Sequence, residues 1–394
     1  MTTQRRVLAV APAGADWDPH GTDVLADQRS AYDEMRSRCP VARDASGGWT
    51  VFRHADVMRV LHDHQTFSNV VSRHVSVPNG MDPPAHTVFR LLIEPYLSED
   101  RVDAFGPVCR AIAAALVDEV CDRRDVELMA ELALPFAARA QCAYLGWPME
   151  LADPLITWTQ RNHEATLEGD RASLVSIARE LEVMVADLIA SREVRGEDAP
   201  QDLTDALIRD TVDGRRLTLD ELTSVFRNWT MGEVGTLAAS IGILAHAMAA
   251  DVDLQYQLRR HLQLMPAAID ELLRAHNPLV NNRRTVTQQV EVGGRTLEAG
   301  DRLTINWMAA NRDPMVFDQP DAFRLDRDPS ANLLYGTGIH VCPGAALASL
   351  ELRVVMEELL AATHLIEPRA CLPATLAMPP ASGYSTVPLH VLRA

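Results

Sequence analysis

The sequence predicts a mainly α-helical fold with small β-sheets, and three stretches carry that reading. From Ser98 to about Arg260, apolar residues recur at three- and four-residue steps, as in "EDRVDAFGPVCRAIAAALVDEVCDR" and "SLVSIARELEVMVADLIASREV", the period of an amphipathic helix. Inside that region, roughly Leu219 to Ala250 is apolar on most faces and should cross the core. After Arg274, "RRTVTQQVEVGGRTLEAGDRLTIN" alternates around a Gly-Gly pair, the pattern of strands joined by a tight turn.

The first hundred residues mix short elements. "SAYDEMRSR" and "ADVMRVLHDH" have helical spacing, while "WTVFR" reads as a strand leaving the turn "DASGG". "EDAPQDLTDALIRDTVDGRRLTLDEL" supplies a helix, a turn and a helix start. A loop-rich stretch, "ANRDPMVFDQPDAFRLDRDPSANLL", leads to "YGTGIHVCPG", and a last helix, "AALASLELRVVMEELLAATHLI", follows at once. No linker, repeat or low-complexity block divides the chain. Residues 1–394 are therefore expected to form one domain, β-rich near 40–60, 283–306 and 364–394 and helical elsewhere.

Composition narrows the function. The formal net charge is −17 and all 37 cationic side chains are arginine, which argues against nucleic acid as a partner because phosphates would be repelled. Six cysteines stand at 39, 109, 121, 142, 342 and 371 with no CxxC pair, the usage of reduced intracellular thiols. The N-terminal "MTTQRRVLAVAPAGADWD" imitates an export signal, yet its apolar run "VLAVA" is shorter than a signal's apolar region. No stretch is expected to approach the roughly 18 apolar residues of a membrane span. A soluble, cytoplasmic, monomeric protein is the expectation.

The chemistry concentrates at Cys342. It lies among Gly336, Gly338 and Gly344, two residues after His340 and just before the last helix. Glycines let a backbone approach another group closely. Three readings stay open: a structural thiol in a glycine-rich turn, a nucleophile with His340 as base, and a thiolate ligand to haem iron. His340 is poorly placed as a base if the loop is extended, since alternate side chains then diverge. Zinc would need three further ligands at matching spacing, which are absent. A helix N-terminus favours a thiolate by its dipole and free N–H groups.

At these residues the sequence resembles the cytochrome P-450 family of haem-thiolate monooxygenases. The family's ligand loop, Phe-Gly-x-Gly-x-His/Arg-x-Cys-x-Gly, is matched with Tyr335 in place of Phe. Its Glu-x-x-Arg pair is similar to Glu271 and Arg274 in "DELLR", and its meander to the stretch ending at Arg327. "MDPPAHTVFR" resembles the family's Asp-Pro-Pro-x-His-Thr-x-x-Arg.

The resemblance implies the P-450 fold, with haem b between the long central helix and the cysteine loop, and Cys342 as axial ligand. It implies Tyr335, Gly336 and Gly344 at the cofactor, and His86, Arg90, Arg284 and His340 at its propionates. It further implies a buried network of Glu271, Arg274 and Arg327, since buried charges persist when paired.

One motif departs from the family. The central helix should carry Ala/Gly-Gly-x-Asp/Glu-Thr, and here reads "GEVGT". Thr236 keeps the alcohol, Gly235 replaces the acid, and Glu233 stands where the family has glycine. Residues 233 and 236 share a face of an α-helix, so Glu233 is a candidate replacement proton donor, its pKa raised by burial. The alternatives are a hydrogen bond to substrate, or a locally rotated helix that turns Glu233 into a polar contact elsewhere.

The resemblance implies O₂ insertion into a C–H bond of a small, mainly apolar substrate, as hydroxylation or oxidative dealkylation. Electrons would come from NAD(P)H through a ferredoxin and its reductase, docked on an arginine-bearing face near Cys342. Peroxide-driven turnover and a non-enzymatic haem sensor are the alternatives. Substrate choice is expected in "NVVSRHVSVPNGM", residues 151 to 195, 280 to 283 and 381 to 386. Asn281 or Asn282 could bind a polar substituent, though a turn is the commoner use of such a pair.

Overall fold

The computed structural model describes residues 14–195, 201–379 and 381–394. The apolar run "VLAVA" and the segment "GEDAP" fall outside the described residues. Helices dominate, and three of them set the architecture: Glu99–Cys121, the central run Leu219–Ala250 and the C-terminal helix Ala345–Ala362. The C-terminal helix packs along Glu99–Cys121 and also touches the central helix. Phe136, Phe226, Leu116 and Val355, all fully buried, belong to the large core between these elements.

Local chemistry explains where helices begin. Glu99 and Asp100 open the first long helix, where negative charge meets the positive end of the helix dipole. The central helix starts with a reciprocal capping box between Thr218 and Glu221, which satisfies two otherwise orphaned N–H groups. Just before it, Thr211–Val212 and Arg215–Arg216 form a small hairpin around Asp213 and Gly214, both at positive φ. The sequence reading recognised only the turn there.

The central helix contains an irregularity with consequences for the site. Leu219–Thr230 and Ala238–Ala250 are α-helical, but Met231–Leu237 between them is π-helical. Its wider turn bonds residue i to i+5, so residues three apart diverge more than on an α-helix. The helix also has the length and mean hydropathy, 1.4, of a membrane span, which corrects the expectation that no stretch approaches one. Here those apolar residues face protein: Ile241, Leu244 and Ala245 are fully buried.

A five-stranded sheet forms the second layer, in the order Val41–Arg43, Trp49–Val51, Arg302–Asn306, Asn281–Val286, Phe67–Ser68. Arg302–Asn306 runs parallel to Trp49–Val51 and antiparallel to Asn281–Val286. Asn281 and Asn282 are therefore strand residues, paired with Asn306 and Ile305; the turn expected there is corrected. Val51, Phe67 and Ile305 bury their side chains in a second core. The Gly-Gly turn is present, joining Val290–Val292 to Arg295–Leu297 with both glycines at positive φ, as a two-residue hairpin turn requires. Thr363–Pro368, Pro388–Arg393 and Asp125–Glu127 make a three-stranded sheet.

The cysteine loop runs from the meander to the C-terminal helix against the helix His54–His62. Gly338 has φ +74°, and a Cβ there would stand 2.7 Å from the Leu61 carbonyl oxygen. Gly338→Ala should thus cost about 2 kcal/mol in thermal unfolding. Gly235→Ala, whose Cβ would meet nothing nearer than 3.9 Å, should stay within about 1 kcal/mol of wild type.

Candidate functional site

The site is built on a buried ion cluster. Arg274 donates to both Glu271 oxygens, at 2.7 and 3.0 Å, and Arg327 Nε reaches the same carboxylate at 2.9 and 3.0 Å. Arg274 is 1% exposed and Glu271 4%. Two further guanidinium hydrogens of Arg274 go to the carbonyls of Asn311 and Pro320. Asn311 in turn accepts from Leu333 N at 2.7 Å, and Gly336 N donates to Leu333 O. The ion cluster is thereby wired to the loop that carries Cys342.

Within the loop, Cys342 N donates to Tyr335 O at 2.8 Å, and the Tyr335 hydroxyl pairs with Ser349 on the C-terminal helix. Gly338–His340 form a 3-10 turn rather than extended chain. His340 packs against His86, not beside the sulfur, with ring centroids 4.3 Å apart. Cys342 and Thr236 both line one cavity of about 490 Å3, together with Glu233 and Arg284. The sulfur thus lies deep in the molecule while its residue surface opens on that cavity.

The helix terminus does not dominate the thiol as expected. Burial pushes the Cys342 pKa up; the Gly344 N–H and the Arg90 guanidinium pull it down without overcoming burial. The sequence reading weighed the helix end and omitted desolvation. A cation at the sulfur would supply what the peptide groups do not.

Elsewhere around the cysteine loop the structure gathers polar groups that lack partners. Both ring nitrogens of His86 and Nε2 of His340 are buried with no hydrogen bond. Arg284, only 5% exposed, donates to nothing but the Arg283 carbonyl, and burial depresses it to about 10. His340 is pushed down to about 3 by burial and by neighbouring His86 and Arg284. Uncompensated donors around an open space call for acceptors, above all carboxylates. Arg90 differs: it is committed to Glu94 at 2.7 Å and to the Val341 carbonyl at 2.7 Å, so it braces the cysteine loop. The donor set fits a haem, with a sulfur for its metal and His86, Arg284 and His340 for its two carboxylates.

Opposite lies the departing motif. Thr236 and Glu233 both line the cavity, but the π-helical turn swings Glu233 away from the face that carries Thr236. Its carboxyl meets that of Glu351 on the C-terminal helix, and burial raises it to about 7. Glu351 was not recognised from sequence. It sits four residues after Leu347 and four before Val355, within that helix's apolar stripe, and a charge so placed was the available signal. Gly235 has open space on its Cα, with Thr159 and Met231 the nearest side chains.

The cavity wall also holds six carboxamides, Asn69, Asn79, Gln141, Asn228, Asn277 and Asn282. Four are already used: Asn282 accepts from the Trp307 indole at 2.9 Å, Asn228 donates to Val77 O at 2.9 Å, Gln141 donates to Thr230 Oγ1 at 2.6 Å, and Asn277 accepts from Leu279 N at 3.2 Å.

Comparison with known proteins agrees with this geometry. The family model described as cytochrome P-450 matches residues 108–369. The chain is 33% identical over 349 residues to cyclomarin C epoxidase CymV of Salinispora arenicola, covering 82% of this chain and 86% of that protein. It is 31% identical over 369 residues to nocardicin C N-oxygenase of Nocardia uniformis subsp. tsuyamanensis, covering 87% and 89%. The solved structure of cytochrome P-450 EryK from S. erythraea superposes with a TM-score of 0.84 at 27% identity, covering 93% of this chain and 97% of that one.

Removing the Arg274 charge leaves Glu271 buried beside Arg327 alone and cuts the link to Asn311. Arg274→Leu should therefore lower unfolding free energy by about 3–5 kcal/mol. Arg327→Leu, at the rim of the cluster, should cost less. Chemical denaturation of the two variants against wild type checks the order.

Proposed function

The chain belongs to the cytochrome P-450 family and is a P-450 monooxygenase, and we propose that Cys342 is its haem ligand and that it oxidises C–H bonds of an organic substrate. The finer reading is a hydroxylase or oxidative dealkylase that draws electrons from NAD(P)H through a ferredoxin and its reductase. When bound, the haem supplies the iron chemistry that activates dioxygen for insertion of one oxygen atom. The observation that carries the assignment is Cys342 opening on a cavity of about 490 Å3 that is also lined by buried Arg284 and by His340 with its unpaired Nε2.

The protein's own groups divide the remaining tasks. Cys342 would hold the iron through its sulfur, and Tyr335, Gly336 and Gly344 shape the loop around it. His86, Arg284 and His340 would neutralise the two carboxylates, while Arg90 fastens the cysteine loop from behind. Thr236 offers a hydroxyl to the cavity and Glu233 a carboxyl, in place of the acid absent at Gly235; together they move protons inward. The carboxamide wall favours a substrate that joins an apolar body to hydrogen-bonding substituents, which moves the reading away from a mainly apolar molecule. All six cysteines are free, which supports a reducing compartment such as the cytoplasm.

Thr236→Ala should cut product formation by roughly a hundredfold while reductant consumption persists, read as the ratio of product to NAD(P)H oxidised. Full activity with peroxide and none with the electron-transfer partners would contradict the O₂ reading. A Soret-band screen of organic compounds tests the alternative of a sensor. An oxygenase responds to a series of related ligands with a spin shift, whereas a sensor responds to none.

A further inference from the structure

Three carboxyl oxygens beside the cavity have no donor. Glu233 Oε1 and both oxygens of Glu351 are shut away from solvent, and no N–H or O–H of another residue bonds to them. Glu351 is 0% exposed and borders the same cavity as Glu233. The two carboxyls lie within hydrogen-bonding reach of each other. The titratable groups that feel the pair are Cys109 on the helix Glu99–Cys121, Tyr144 on Leu134–Leu145, and Tyr335 and Cys342 on the cysteine loop. Each of these is an acid.

Among the described residues, then, no cation faces the pair. Two carboxylates held together in a dry site without a counter-charge repel strongly. The one donor the geometry leaves is a carboxyl O–H of the pair itself.

We propose that Glu233 and Glu351 share one proton, one carboxyl donating it to the other, in a bridge that joins the central helix to the C-terminal helix and stores a proton beside the cavity. Glu351 is a positioning residue in this arrangement. Fully buried, it aims Glu233 and keeps a proton on the pair. Both residues border the cavity. The bridge exists with or without the cofactor; its use as a proton store rests on the monooxygenase reading above. It also gives the π-helical turn a purpose, since that turn carries Glu233 toward the C-terminal helix.

The sign of the pH effect follows from where the proton is held. Burial raises Glu233 to about 7, with the bond to Glu351 holding it lower than burial alone would; burial and the neighbouring Glu233 raise Glu351 well above the ordinary 4.5. The folded protein therefore binds protons where the unfolded chain has released them. Stability from this source is intact below about 4.5, falls as pH rises through about 7 where Glu233 ionises, and falls further where Glu351 releases the remaining proton.

Thermal unfolding of the holoenzyme across that range, for wild type, Glu233→Gln, Glu351→Gln and the double variant, tests the sharing. A shared proton means that either single substitution removes most of the pH-dependent fall, and the second adds little. Separate shares that sum in the double variant would overturn the proposal.

Infrared spectra decide the matter if a variant fails to fold. At neutral pH, wild type should show a protonated-carboxyl C=O band that shifts in heavy water, and its absence would overturn the bridge. The role in catalysis is read from the pH profile of coupling. Wild-type coupling should fall as the pair titrates, and Glu351→Gln should lose that dependence; an unchanged profile would remove Glu351 from proton storage. The unfolding and infrared measurements need no turnover, so failure of the bridge and failure of the monooxygenase reading give different results.

Discussion

A guanidinium sealed from water governs the arrangement around the cysteine. Burying Arg274 requires acceptors for its planar head, and the structure supplies four hydrogen bonds through Glu271, Asn311 and Pro320. Meeting it fixes the meander, and the meander fixes the loop through Asn311 and Leu333. A buried ion pair is a poor source of net stability but a strong constraint on geometry when each group is satisfied. Here the constraint delivers one sulfur to the floor of a cavity.

The cavity is framed by two opposite kinds of unmet demand. Toward the carboxylate end of the expected cofactor, His86 and His340 carry ring nitrogens without partners, and the buried Arg284 side chain bonds only the neighbouring Arg283 carbonyl. Toward the C-terminal helix, Glu233 and Glu351 are acceptors without donors. The first is resolved by a diacid macrocycle, the second by a proton. Both are costly to leave unmet in a dry interior, so the protein is arranged around what it binds rather than around its own side chains alone.

Much of this was legible in the sequence, for identifiable reasons. The helices announced themselves by spacing, the Gly-Gly hairpin by turn chemistry, and the cysteine loop by glycines that stand against Leu61. The Glu271–Arg274–Arg327 cluster could be placed because the residues recur in a recognisable order. What escaped were features set by tertiary contact. No periodicity marks a π-helical turn, so Glu233 was expected on the face of Thr236. Arg90 was expected at a haem propionate, and the structure pairs it with Glu94 one helical turn later. Asn281 and Asn282 read as turn formers, yet pairing with Arg302–Asn306 holds them extended. Glu351 lay in plain view on an apolar stripe, and its meaning depended on a partner 118 positions earlier in the chain.

The central claim is that the sulfur of Cys342 bonds directly to haem iron, and X-ray absorption at the iron edge of the haem-replete protein tests it most directly. The account predicts one sulfur in the iron's coordination shell of wild type and none in Cys342→Ser. A shell made only of nitrogen and oxygen in wild type, or a sulfur that survives in the serine variant, would contradict it.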